Sequence, residues 1–149
     1  MKDIAASRSD GRIFRLFDAV LDRGEFGQLW LKDRRIASCV VQSLQHGEAA
    51  LHEYKLHAFV VMPNHVHVLL EPRTELRRIT QGIKGTTSRR ANAILRRVGQ
   101  PFWQDESFDR WIRNEDEFLR IRHYILRNPV AAGLVKTAEE WPWSSLRNQ

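Results

Sequence analysis

The segment "MPNHVHVLLEP", Met62 to Pro72, decides how this chain is read. It alternates like a half-buried strand, yet it carries two histidines with a single valine between them. Strand side chains alternate with a period of two, so His65 and His67 point to one face while Val66, Val68 and Leu70 point to the other. Two imidazoles therefore stand side by side. Such a pair is either a set of satisfied core histidines or two ligands of one metal ion, and the rest of the chain has to choose. Just upstream, "EYKLHAFVVMP" also alternates, and Pro63-Asn64 marks a turn, which predicts an antiparallel hairpin with the histidines on its second strand.

Outward from this hairpin the chain alternates between helical and extended patterns. In "GRIFRLFDAVLDRGEFGQLWL", Phe14, Phe17 and Leu21 fall at helical spacing and predict a helix ending near Gly24. A second helix is expected over Ile36–Gln45, stopped near Gly47. After the hairpin, Leu76, Ile79, Ile83, Ile94, Leu95 and Val98 form an apolar stripe on a basic helix weakened by Gly82 and Gly85. "PFWQDESFDRWIRN" predicts a strand from about Phe102 to Ile112. Asn114 then caps a last helix, with Glu117 completing a capping box, Phe118, Ile121 and Ile125 on the buried side, and Pro129 as the stop. The closing "WPWSS" reads as aromatic packing. This order predicts an α+β domain in which an antiparallel sheet is covered by helices.

The 149 residues suit one domain, and 42% hydrophobic with 28% charged residues is an ordinary globular composition. No run approaches the ~18 apolar residues of a membrane span, and the N-terminus lacks a signal-peptide core, so a cytoplasmic protein that does not engage a membrane is expected. Cys39 is the only cysteine. It excludes an internal disulfide and a multi-cysteine zinc site, and it reads as core filler on a helix face. Net charge is +6, but its distribution is uneven. Between Arg73 and Arg97 there are eight basic residues against Glu75 alone, while the remainder holds 16 basic and 17 acidic residues. All the excess positive charge thus lies on the basic helix, as expected of a surface that meets a polyanion.

On the last helix Tyr124 and Asn128 are four residues apart and share one face, away from Ile121 and Ile125. Each alone is ordinary. With the H-x-H pair and the basic helix they supply the parts of a nucleophile, a metal site and a phosphate-binding surface. His57, on the neighbouring strand, is read as structural or supporting; His46, His52 and His123 are read as solvated.

The strings "LHAFVVMPNHVHVLL", "IKGTTSRRAN", "FWQDESFDRWIRNEDEF", "RHYILRNPVAAGLV" and "EEWPWSS" together resemble the REP-associated tyrosine transposases, relatives of the insertion-sequence 200-like transposases within the HUH (His, hydrophobic, His) single-strand DNA endonucleases. The resemblance runs from about residue 34 to 146 in the family's order, leaving residues 1–33 as a divergent N-terminal region of one domain over 1–149. It implies a ferredoxin-like, HUH-type α+β fold. It also implies that His65 and His67 bind a divalent metal, Mg²⁺ or Mn²⁺, that Asn128 stands where relatives have a glutamine completing the metal site, and that Tyr124 is the catalytic tyrosine. Lys84, Arg77, Arg78, Arg89 and Arg90 on the basic helix would bind single-stranded or hairpin DNA, with Lys84 the leading phosphate contact, in a monomer or homodimer. Family members open with a strand of the type "YFVTFRL" that is not evident in "MKDIAASRSDGRIFRLFDAVL", so the first strand is expected to be divergent or missing, with a sheet edge exposed.

The implied reaction is chemically coherent. A phenol of pKa ~10 is about one part in a thousand ionised at pH 7, a deficit of roughly 4 kcal/mol that a site must offset. Two neutral imidazoles and an amide leave a metal's double charge undiminished, so the ion can polarise the scissile phosphate. Tyrosine attack exchanges one phosphate ester for another, which needs no ATP, and no GxxxxGK[ST] loop is present. The activity expected is a metal-dependent single-strand DNA endonuclease and strand transferase with a 5′-phosphotyrosine intermediate. Two other readings stand beside it: a catalytically silent, domesticated DNA-binding protein, favoured by a missing first strand, and a metal-dependent phosphodiesterase that uses water and not the tyrosine.

Overall fold

The computed structural model describes residues 12–22, 28–105 and 108–148. Within them the chain forms strand β1 (Arg15–Val20), helix α1 (Arg34–Ala49), strands β2 (Tyr54–Val61) and β3 (His65–Pro72), helix α2 (Leu76–Leu95), strand β4 (Phe108–Trp111) and helix α3 (Glu115–Ala131). Single 3-10 turns occupy Trp30–Lys32 and Ala138–Glu140. The sheet order is β2-β3-β1-β4, and every neighbouring pair is antiparallel. A β-α-β-β-α-β order with its first and third strands at the centre is the ferredoxin-like topology, here followed by α3.

β1 corrects the sequence reading. "RLFDAV" is a strand, not a helix, and it lies between β3 and β4 in the middle of the sheet. Of the two alternatives for the first strand, divergent or missing, the strand is present, with a sequence unlike the family's opening strand. Phe14, Phe17 and Leu21 imitate helical spacing, but Phe17, Ala19 and Leu21 face one core while Phe14 and Leu16 face the other. A strand covered on both faces has no polar side to show its period. The helix end expected near Gly24 falls outside the described residues.

Two cores sandwich the sheet. On one face α1 and α2 pack Ile36, Val40, Leu44, Ile79 and Ile83 against Phe17, Phe59, Val66, Val68 and Leu70. On the other, α3 packs Ile121 and Ile125 against Phe14, Ala58, Val60, Leu69 and Ile112. Burying a Leu or Ile side chain is worth about 1.5–3 kcal/mol, so these layers fix where each helix sits. A β-bulge between Leu56 and Ala58 in β2 keeps both faces in register. Cys39 is buried, as expected.

The helix limits show what capping decides. Asp33, unremarked in the sequence, caps α1 by accepting from the Arg35 N–H, and α1 continues past Gly47 to Ala49. Asn114 caps α3 through the Glu117 N–H at 2.9 Å. Glu117 does not return to the cap residue; its carboxylate accepts from the Arg113 N–H at 2.7 Å and from the Arg110 side chain. Pro129 lies inside α3 and does not end it. The helix instead stops where Gly133 takes φ +74° and the Gly133 and Leu134 N–H groups bond Val130 and Pro129 carbonyls, a Schellman ending.

The extended reading of Phe102–Ile112 holds only in part, as β4 spans four residues and Trp103 makes an isolated bridge to Leu21. β2, at one sheet edge, is closed by the C-terminal segment. The Val61 N–H donates to the Trp143 carbonyl, the Ser145 N–H to the Phe59 carbonyl, and the Trp141 indole N–H to the Val61 carbonyl. "WPWSS" thus protects an edge as well as packing rings.

Candidate active site

His65 and His67 enter β3 directly after the turn at Pro63-Asn64, and both face α3, as the alternation requires. Val66, Val68 and Leu70 fill the opposite core, and Leu69 continues the histidine face into the α3 core. The two rings lie edge to face with centroids 4.6 Å apart. His67 is buried and His65 half-buried. His65 Nδ1 lies 2.6 Å from Asn64 Oδ1, a contact that favours the tautomer with its proton on Nδ1. His67 Nδ1 is 2.6 Å from Asp18 Oδ1 on β1. Burial, reinforced by the adjacent His67 and opposed by Asp18, pushes His65 down to about 4, which keeps it neutral at pH 7, the form a metal requires.

α3 crosses this face and presents Tyr124 to the pair. The Tyr124 and His67 ring centroids are 5.6 Å apart, and Tyr124 is 55% exposed, open to a ligand from solvent. Asn128 is half-buried one turn further along; because α3 continues through Pro129, both residues sit in regular helix and share a face. The fold therefore brings the histidine pair and Tyr124 together within one chain.

The donor atoms suit a metal. His67 Nε2 is buried and has no hydrogen-bond partner among the described residues, an arrangement that is costly unless that nitrogen has another use. No group of three or more His, Cys, Asp or Glu residues able to hold a metal occurs among the described residues. A site here would rest on His65, His67 and an amide oxygen.

His57 does not join the pair. It sits at the bulge in β2, against Phe14 and Phe118, with Nε2 3.5 Å from Glu71. His46, His52 and His123 are exposed, His46 within α1 and His52 in a left-handed turn.

The basic helix lies elsewhere. α2 packs on the sheet face opposite α3, so Lys84, Arg77, Arg78, Arg89 and Arg90 are separated from His65 and His67 by the sheet. They also diverge among themselves. Arg78 pairs with Glu53 and Arg90 donates to Gln42, both toward α1. Arg77 and Lys84 line a cleft of about 460 Å³ with Arg15, Gln81, Asp105 and Asp109. Lys84 Nζ donates to the Gln104 carbonyl at 2.7 Å and to that of Asp105 at 3.4 Å. Burial lowers its pKa, with Asp105 opposing. Arg77 and Arg89 are exposed.

Sequence reasoning missed Asp18. An aspartate at the centre of the apolar run "RLFDAV" was the available signal, since strands disfavour it.

Among the described residues no helix is long and apolar enough to cross a membrane. An uncharacterized protein of Haemophilus influenzae is 31% identical, with 52% of this chain and 56% of that protein covered, so the match spans little more than half of that relative's length. Two solved structures share the fold at 20% identity. The REP-associated tyrosine transposase bound to a REP hairpin has a TM-score of 0.66, covering 89% of this chain and 76% of its own. A candidate transposase of Deinococcus radiodurans has a TM-score of 0.50, covering 76% of this chain and 87% of its own. The sequence profile of the IS200-like transposases matches residues 31–128, a span that takes in the hairpin, α2, β4 and α3 as far as Asn128, and by that match this chain belongs to the IS200-like transposase family.

Proposed function

We propose that this transposase-family protein is a tyrosine DNA transesterase that nicks and rejoins single-stranded or hairpin DNA. The observation that carries the reading is the position of Tyr124, solvent-accessible and 5.6 Å, ring to ring, from a buried histidine whose Nε2 has no hydrogen-bond partner among the described residues. Tyr124 Oη attacks a backbone phosphorus and gives up its proton as the Oη–P bond forms. The P–O3′ bond breaks, the departing 3′ oxygen takes up a proton, and the 5′ end remains on Tyr124 as a phosphotyrosine. Attack by a 3′-hydroxyl on that ester reverses the step and joins strands with no external energy source. Mg²⁺ or Mn²⁺ held by His65, His67 and Asn128 would supply Lewis-acid polarisation of the scissile phosphate. Hairpin DNA is the favoured substrate because the REP-associated transposase that shares this fold was solved with a REP hairpin.

The rival reading as a silent DNA-binding protein drew its support from a missing first strand, and β1 stands at the centre of the sheet. The test is incubation with labelled single-stranded and hairpin repeat DNA and Mn²⁺ or Mg²⁺, followed by a denaturing gel. A covalent protein–DNA adduct is expected for the native chain and none for Tyr124→Phe, with DNA affinity preserved. Nicking by Tyr124→Phe at close to the native rate would assign the nucleophile to water and overturn the proposal.

A further inference from the structure

The central strand β1 carries one residue its surroundings do not call for. Phe17 and Ala19 face the α1/α2 core, and between them Asp18 points to the α3 face, directly opposite His67 in the register. Directly opposed residues of an antiparallel pair have Cβ atoms about 4.5–5.5 Å apart, so a side chain as short as aspartate's reaches this neighbour and few others. Asp18 Oδ1 indeed lies 2.6 Å from His67 Nδ1, with the two side chains 25% and 11% exposed. A polar residue placed against strand propensity marks a position selected for something other than stability.

We infer that Asp18 is a positioning residue of the active site, which fixes the His67 ring and holds its proton on Nδ1 so that Nε2 is left bare as a ligand atom. An ionised carboxylate accepts hydrogen bonds only, so the nitrogen facing it must be the protonated one. The other nitrogen, Nε2, is buried and has no hydrogen-bond partner among the described residues. Satisfying Nδ1 while orphaning Nε2 makes no sense for a histidine that is only core filling. A histidine oriented by a carboxylate toward a metal is the arrangement in which both facts follow, and loss of such a carboxylate typically costs 10–100-fold in metal affinity. The inference rests on the metal-dependent reading proposed above, but the proton's position can be read without any metal.

Long-range ¹H–¹⁵N NMR of the metal-free chain identifies the tautomer of each histidine. For the native chain near pH 7, His67 is expected as the Nδ1–H form, and an Nε2–H form there would overturn the inference before any variant is made. Asp18→Asn retains an acceptor oxygen and is expected to keep that tautomer. Asp18→Ala is expected to release it while His65, held by Asn64, stays unchanged, a control that separates a local effect from unfolding. Mn²⁺ titration calorimetry supplies the second readout, with a 10–100-fold weaker affinity expected for Asp18→Ala and a smaller loss for Asp18→Asn. Equal Mn²⁺ affinity in native and Asp18→Ala chains would overturn the inference. A native chain with the Nδ1–H tautomer and no Mn²⁺ binding would instead refute the metal reading, while upholding the role of Asp18 in holding the proton.

Discussion

The ring of Tyr124 on α3 stands edge-on to that of His67 on β3, with centroids 5.6 Å apart and planes at 63°, inside a single chain. The helix and the strand belong to the same core through Ile121, Ile125 and Leu69, so the spacing is set by packing and not by a mobile connection. Both groups of this pair thus come from one chain.

Mixing two inactive variants tests this. His67→Ala and Tyr124→Phe, each expected to form no adduct, are expected to remain inactive when combined at equal concentration. Adduct formation by the mixture at a substantial fraction of the native rate would mean that Tyr124 serves a second chain's histidines.

The position of α2 on the opposite sheet face makes a separate demand on DNA binding. Arg77 and Arg89 are exposed, whereas Lys84 is tied to the Gln104 and Asp105 carbonyls. Each phosphate contact with a single strand adds about 0.7 to the slope of log affinity against log salt. Arg77→Ala and Arg89→Ala are expected to lower that slope together by about 1.4, measured by fluorescence anisotropy across salt concentrations. Lys84→Ala is expected to shift the urea midpoint of the DNA-free protein more than either arginine variant. An unchanged slope in the double variant would show that α2 is only a solvated face.

Two helical glycines, outwardly alike, are expected to respond oppositely to alanine. A Cβ on Gly82 would meet nothing within 4 Å, so Gly82→Ala gains helix propensity, about 1 kcal/mol. A Cβ on Gly47 would come within 2.3 Å of Tyr54 Oη. That hydroxyl is buried and donates to the Leu44 carbonyl at 2.6 Å, so it cannot move aside without breaking its bond. Overpacking of this kind costs about 1–3 kcal/mol, which outweighs the propensity gain. Thermal denaturation should therefore raise Tm for Gly82→Ala and lower it for Gly47→Ala.

Glu117 ties the start of α3 to β4, and its charge state links stability to pH. Burial alone would raise its pKa, but the Arg113 backbone N–H and the Arg110 guanidinium outweigh that and hold it below the ordinary value. The folded chain thus binds this proton less readily than the unfolded chain. The stabilisation is present above the ordinary glutamate range and is lost as pH falls through the folded value. Glu117→Gln is expected to lower the urea midpoint at pH 7, with the gap from the native chain closing below about pH 4.3. A gap of constant size down to pH 3 would count against the ion pair as its source.

Much of the candidate site is legible in the linear chain because it rests on local periods. The shared face of His65 and His67 follows from the two-residue repeat of a strand, the shared face of Tyr124 and Asn128 from the helical turn, and the start of α3 from Asn114. What the chain alone could not show depends on contacts between residues far apart in sequence. β1 is hidden because both its faces are buried, which erases the alternation that would reveal a strand and leaves Phe14, Phe17 and Leu21 to imitate a helix. Asp18 acquires a role only when β1 and β3 pair in a register that sets it opposite His67, 49 positions away. The concentration of positive charge on α2 is plain in the sequence, but the crossover from β3 through α2 to β4 decides that this charge faces away from Tyr124. A local period orders neighbours on one element; only the packing of elements against a common sheet assigns them to its two sides.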